Sequence, residues 1–188
     1  MKIRPLNLNI IKDKVQIDMR NLDLKGDIID IGIKNYGIIY KICKQNDDEV
    51  AVEYLVDEER TLISRERYDT AVLFFCLGML SGPDRKKLIK DIGSYIRDYG
   101  EIVIWDLNKA PGMLMDLEVE VLMPNDESQI IKLRNLNPVK RIFMEEIRHL
   151  VLQYFYITEE KVGKTIFYLR GRRKGKGIKK DESSIDCT

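Results

Sequence analysis

Apolar and polar positions alternate along this chain in two rhythms, and the first clear one begins at Asp27. Ile28, Ile29 and Ile31 form a β-branched run bounded by Gly26 and Gly32, which suits a strand covered on both faces. Ile38, Ile39, Ile42 and Cys43 then recur at helical spacing and leave Lys41 and Lys44 for solvent. Val50 and Val52 supply a second strand that ends on Glu53, so the stretch reads as a βαβ unit. Farther on, Ala71–Leu77 within Tyr68–Leu80 is apolar, too short and too β-rich for anything but a central strand. Ser81-Gly82-Pro83-Asp84 opens a helix, with Ser81 and Asp84 at capping distance. Leu88, Ile92, Tyr95, Ile96 and Tyr99 line one face of that helix, and Gly100 is expected to stop it. Ile102–Trp105 is another buried strand, with Asp106 at its C-terminal end.

The rhythm changes after Gly112. Leu117, Val119 and Val121 alternate with acidic residues, Pro124–Ser128 turns the chain, and Ile130–Leu133 returns. This pattern predicts a hairpin that buries the three aliphatic side chains, wets Glu118 and Glu120 and is more mobile than the core. Met144, Ile147, Leu150 and Val151 mark a helix. Tyr154–Ile157 and Thr165–Leu169 are strands joined through Lys161–Gly163, a link too short for a parallel crossover, so they are expected to pair antiparallel. Met1–Lys25 reads as an irregular lead-in packed beside the first strand, and Asp57–Arg67 as a short charged connection. From Gly171 onward periodicity is lost. The resulting expectation is one α/β domain over residues 1–173, its sheet mostly parallel with an antiparallel C-terminal pair. A β-hairpin is inserted at about 115–135, and 174–188 is a disordered tail.

Composition narrows the function classes. In 188 residues, 32 Lys and Arg face 31 Asp and Glu, and a formal net charge of +1 argues against a dedicated nucleic-acid binder. No apolar run approaches the roughly 20 residues that span a bilayer, and no signal peptide is visible. Cys43, Cys76 and Cys187 are far apart and lack metal spacing, which fits buried thiols in a cytoplasmic protein. No nucleic-acid, membrane or metal partner is therefore expected. His149, the single histidine, lies on the closing helix beside Arg148 and reads as a surface or packed residue, not a base.

The chemistry concentrates at the turn from Gly32 to Gly37. Glycine lets a backbone approach a ligand that a side chain would obstruct, and the helix start offers free N–H groups. A carboxylate roughly 20 residues beyond such a turn can accept hydrogen bonds from ribose hydroxyls, which is Glu53's position. The alternative is an ordinary buried turn that binds nothing.

Asp30-x-Gly32, Glu53, the run from Tyr68-Asp69 through Leu80, the helix and strand over Asp91–Asp106, and the closing Met144–Arg173 occur in one order. In that order the chain resembles the class I S-adenosylmethionine-dependent methyltransferases over about Leu22 to Arg173. The resemblance implies a Rossmann-like methyltransferase sheet and S-adenosylmethionine as cofactor. It places Asp30, Gly32, Lys34, Glu53 and Phe75 at the cofactor and Asp106 toward the substrate. Two departures stand out. Lys34 occupies the place of the family's second glycine, and the segment between Glu53 and Tyr68 is short. Both imply weak or lost cofactor binding. The readings left open are a small-molecule methyltransferase and a catalytically inactive protein of that fold serving as a scaffold. A nicotinamide-dependent oxidoreductase is disfavoured by the antiparallel end and the broken glycine triplet.

Overall fold

Ile28–Ile31 forms strand β2 with all four side chains buried, as a strand covered on both faces requires. The computed structural model describes residues 9–32, 34, 36–46, 51–55 and 65–175. β1 is Asn9–Asp18, and β2 is followed by α1 (Ile38–Asn46) and β3 (Val52–Leu55). Next come β4 (Tyr68–Phe74), α2 (Gly82–Tyr95) and β5 (Ile96–Leu107). The hairpin strands are β6 (Met113–Leu122) and β7 (Ser128–Asn135), and α3 (Met144–Val151), β8 (Phe155–Val162) and β9 (Ile166–Arg173) close the chain.

The main sheet runs in the order β3-β2-β4-β5-β9-β8. β3, β2, β4 and β5 are parallel, and β9 lies antiparallel between β5 and β8. The antiparallel pairing of β8 and β9 is as the short Lys161–Gly163 link predicted. From β2 the chain crosses to β3 on one side, and from β4 to β5 on the other. Right-handed crossovers therefore put α1 and α2 on opposite faces and open a crevice between the C-terminal ends of β2 and β4. No helix among the described residues is long and apolar enough to cross a membrane.

Three expectations need correction. The lead-in is not irregular, because β1 pairs parallel with β6 from Asn9↔Met113 to Asp18↔Leu122 and builds a second sheet, β1-β6-β7. Its inward positions Ile11, Val15, Ile17 and Met19 do alternate, and Asp13 interrupts the pattern. The second helix ends at Tyr95, and Ile96 is already extended (φ −80, ψ 137) and paired with Tyr68. Gly100 therefore lies inside β5, where a Cβ would come 2.6 Å from the Asp69 carbonyl, and Tyr99 is 71% exposed. Lastly, β9 continues past Gly171 to Arg173, because β5 and β8 flank it to its end. The connection over 56–64 and the tail over 176–188 lie outside the described residues.

Leu117, Val119 and Val121 are buried and join the same hydrophobic cluster as β2, β4 and β5. The two sheets thus share one core.

Candidate cofactor and substrate site

Asp30 is the last-but-one residue of β2, opposite Val72 of β4. Its side chain is 8% exposed and makes no hydrogen bond or ion pair with the described residues. Burial alone pushes its carboxyl up to about 7. The Cys43 thiol on α1 is pushed up to about 11, first by burial and then by the Asp30 charge, so the carboxylate faces that helix. Gly32 follows, buried at the strand end, and Gly37 (φ +68) supplies the left-handed turn into α1. Lys34 is exposed at the rim and is not paired with Asp30.

The chain after β4 is held in an unusual shape. Phe75 has φ +52, in the left-handed region that a bulky residue seldom enters, and its N–H donates to the Trp105 carbonyl at 2.8 Å. A 3₁₀ turn over Leu77–Met79 follows. Asp106, 1% exposed, accepts from Leu77 N–H (2.7 Å), Gly78 N–H (3.2 Å) and its own neighbour Leu107 N–H (2.7 Å). Burial pushes this carboxyl up to about 6, against the opposing pull of those N–H groups. A side chain at Gly78 would meet Asp106 Oδ1 at 2.9 Å, so glycine is required for the approach.

The carbonyls of the same turn are held from the other side. Arg85, 3% exposed, donates from Nε to Leu77 O (2.9 Å), from Nη1 to Glu146 (3.1 Å) and from Nη2 to Arg141 O (2.6 Å). Asn135 of β7 donates to Gly78 O at 3.3 Å. Fully buried Lys109 caps Asn137 O at 2.8 Å, and burial lowers its pKa. Sequence reasoning missed all three. Arg85 carried a signal, since it sits three residues before Leu88 on the apolar stripe of α2. Lys109 and Asn135 carried none.

Between these parts lies a cavity of about 80 Å³, bordered by Lys34, Tyr36, Phe75, Asp106, Leu133 and Asn135. The hairpin roofs it, with Gln129 Nε2 donating to Tyr36 O at 3.0 Å. That volume holds about three waters. It is far below the roughly 300 Å³ where small-molecule sites begin.

The structure brings Asp30, Gly32, Lys34, Phe75 and Asp106 to the crevice between β2 and β4 or its border. Glu53 is not among them. It pairs with Ile29, two residues before β3 ends at Leu55, and its carboxylate accepts from Arg67 and from the Tyr68 hydroxyl at the start of β4. Burial and that hydrogen bond push the Tyr68 phenol up to about 12. Asp106 reaches the cavity, but backbone amides engage both of its oxygens.

No family model matches the chain, and no curated protein matches it in sequence. Solved structures do. An S-adenosylmethionine-dependent methyltransferase from Mesorhizobium loti aligns over 81% of this chain and 94% of its own, with a TM-score of 0.55 at 10% identity. A methyltransferase of the same dependence from Methanosarcina mazei gives 0.53 at 12% identity over 81% and 94%. The 4+2 cyclase SpnF gives 0.54 at 9% identity over 83% and 77%. The fold is that of the class I S-adenosylmethionine-dependent methyltransferases.

Proposed function

We propose that the chain is an S-adenosylmethionine-dependent methyltransferase acting on a small molecule. The fold alone does not fix this chemistry, as a cyclase of the same fold illustrates. The observation that carries the reading is Asp30, a buried carboxylate without a partner among the described residues, at the crevice where this topology places ligands. A buried ion without a counter-charge is costly, and a cationic ligand would supply the counter-charge. S-adenosylmethionine carries an ammonium and a sulfonium, so the residues at this end fit it.

Asp30 would accept from the ammonium, Gly32 would let the backbone close in, and Phe75 would wall the site toward Asp106. Lys34 works against this by adding a positive charge at the rim. Glu53 takes no part, since Arg67 and Tyr68 already engage it. When bound, the cofactor supplies a methyl group that its sulfonium has already activated, so the protein's task is alignment and the exclusion of water. The near-zero net charge supports a small molecule over a nucleic acid as the acceptor.

Because an ammonium partner favours the ionised carboxylate, binding must displace the Asp30 proton below its pKa of about 7. Calorimetry with S-adenosylhomocysteine is therefore expected to show about tenfold tighter binding at pH about 8 than at pH about 6. Asp30→Asn should bind more weakly and lose this dependence. Equal affinity of the parent protein at both values would contradict the assignment of Asp30.

A further inference from the structure

A second opening lies where the end of β1 and the loop after it meet β5 and β9, on the face of the main sheet that carries Asp30. Arg170 of β9 pins that loop by donating to the Asp23 carbonyl at 2.9 Å. The groove has a volume of about 520 Å³, within the range of small-molecule sites. Trp105 of β5 and Tyr168 of β9, directly paired across the two strands, form its floor. Their ring centroids are 5.0 Å apart, and Phe74 lies 5.9 Å beyond Trp105. Tyr36, at the border of the first cavity, stands edge-on to Phe74 at 6.1 Å. One row of four rings thus runs from the proposed cofactor end to the groove.

The charges around that floor are matched. The Tyr168 hydroxyl donates to Glu159 and accepts from Arg170, and burial together with the Glu159 charge pushes this phenol up to about 12. Arg170 also donates from Nε to Glu101 at 3.0 Å, and Arg172 lies 3.6 Å from the other oxygen of Glu101. Asp18 holds Arg20 at 2.6 Å, and Asp23 has Lys25 at 3.6 Å. Lys161, exposed at the rim, lies with its ammonium 5.8 Å from the centre of the Tyr168 ring. A cation would therefore compete for carboxylates that are already engaged, which is costly. An anion would find only the exposed Lys161, and such a pair is worth little. A neutral ring disturbs none of these pairs and gains the edge-to-face or offset contacts that aromatic rings prefer.

We propose that this groove binds a neutral aromatic compound, its ring packed against Tyr168 with Trp105 behind. That this compound is the methyl acceptor rests on the transferase reading above, whereas its binding does not.

Trp105 is the only tryptophan in the chain, so its emission reports on the groove directly. The probe is 2-phenylethanol, compared with phenylacetate, 2-phenylethylamine and 2-cyclohexylethanol. Phenylethanol is expected to shift the emission saturably and to bind at least about tenfold more tightly than either ion. Its advantage over the saturated alcohol should be about threefold, the share that ring contacts supply. Glu159→Gln, altered at the exposed rim, uncovers Arg170 and should raise the affinity for phenylacetate by about fivefold while leaving that for phenylethanol unchanged. An ion that binds the parent protein as tightly as phenylethanol would overturn the proposal, and so would equal binding of the saturated alcohol. An unchanged phenylacetate affinity in the variant would overturn it too. The absence of a saturable shift with any probe would do the same and leave the groove to a second copy of the chain. Calorimetry with S-adenosylhomocysteine on the same protein separates the two readings. Phenylethanol binding without heat from that ligand removes the transferase reading alone, and heat without phenylethanol binding removes this proposal alone.

Discussion

Asp30 concentrates the tension of the site in one side chain. A carboxyl raised from 3.8 to about 7 by burial binds its proton more tightly in the folded state than in the unfolded one. Its stabilising contribution is thus complete below about pH 4 and is lost as pH rises through about 7. Asp106, raised to about 6, behaves in the same sense over a narrower window, so the comparison of parent and variant isolates Asp30. Urea unfolding of the ligand-free protein should show Asp30→Asn gaining on the parent between about pH 4 and pH 7, by on the order of 3 kcal/mol. A constant difference across that window would mean that Asp30 is paired. Residue identity told more than residue position here. The local motif Asp30-x-Gly32 could be placed at a strand end from the sequence, whereas Glu53 was matched by its distance along the chain. Strand register, which sequence spacing does not encode, carries Glu53 below the strand end to Arg67 and Tyr68.

The turn after β4 is the element on which the cavity depends. Asp106 accepts three backbone N–H groups, Arg85 and Asn135 hold the carbonyls, and Phe75 keeps a left-handed backbone under that constraint. Asp106→Ala leaves buried donors without an acceptor, and equilibrium unfolding should report a loss of about 3 kcal/mol. A loss below about 1 kcal/mol would show that water replaces the carboxylate without difficulty. The sequence placed Asp106 correctly at a strand end, but nothing local announces that its oxygens are engaged by residues some 28 positions earlier. The hairpin was legible by its alternation, yet its setting was not. β1 flanks β6 across about a hundred residues, and a single Asp13 was enough to hide the alternation that makes β1 a strand.

For the molecule as a whole, the sense of strand pairing followed from local signals, and the full strand order did not. Two short apolar runs with a short link pair antiparallel, and a helix between two others makes a parallel crossover, so a mostly parallel sheet with an antiparallel end could be drawn from the sequence. The second sheet and the groove could not, because both arise from contacts between segments far apart in the chain. The central claim is that the crevice between β2 and β4 holds S-adenosylmethionine, weakly, with Lys34 as the opposing residue. Calorimetric titration of S-adenosylhomocysteine into the parent, Lys34→Gly and Glu53→Ala proteins tests it most directly. The account predicts a parent dissociation constant on the order of 0.1 mM or above, tighter binding by Lys34→Gly, and no change with Glu53→Ala. No heat at about millimolar ligand with the parent, and none restored by Lys34→Gly, would contradict it.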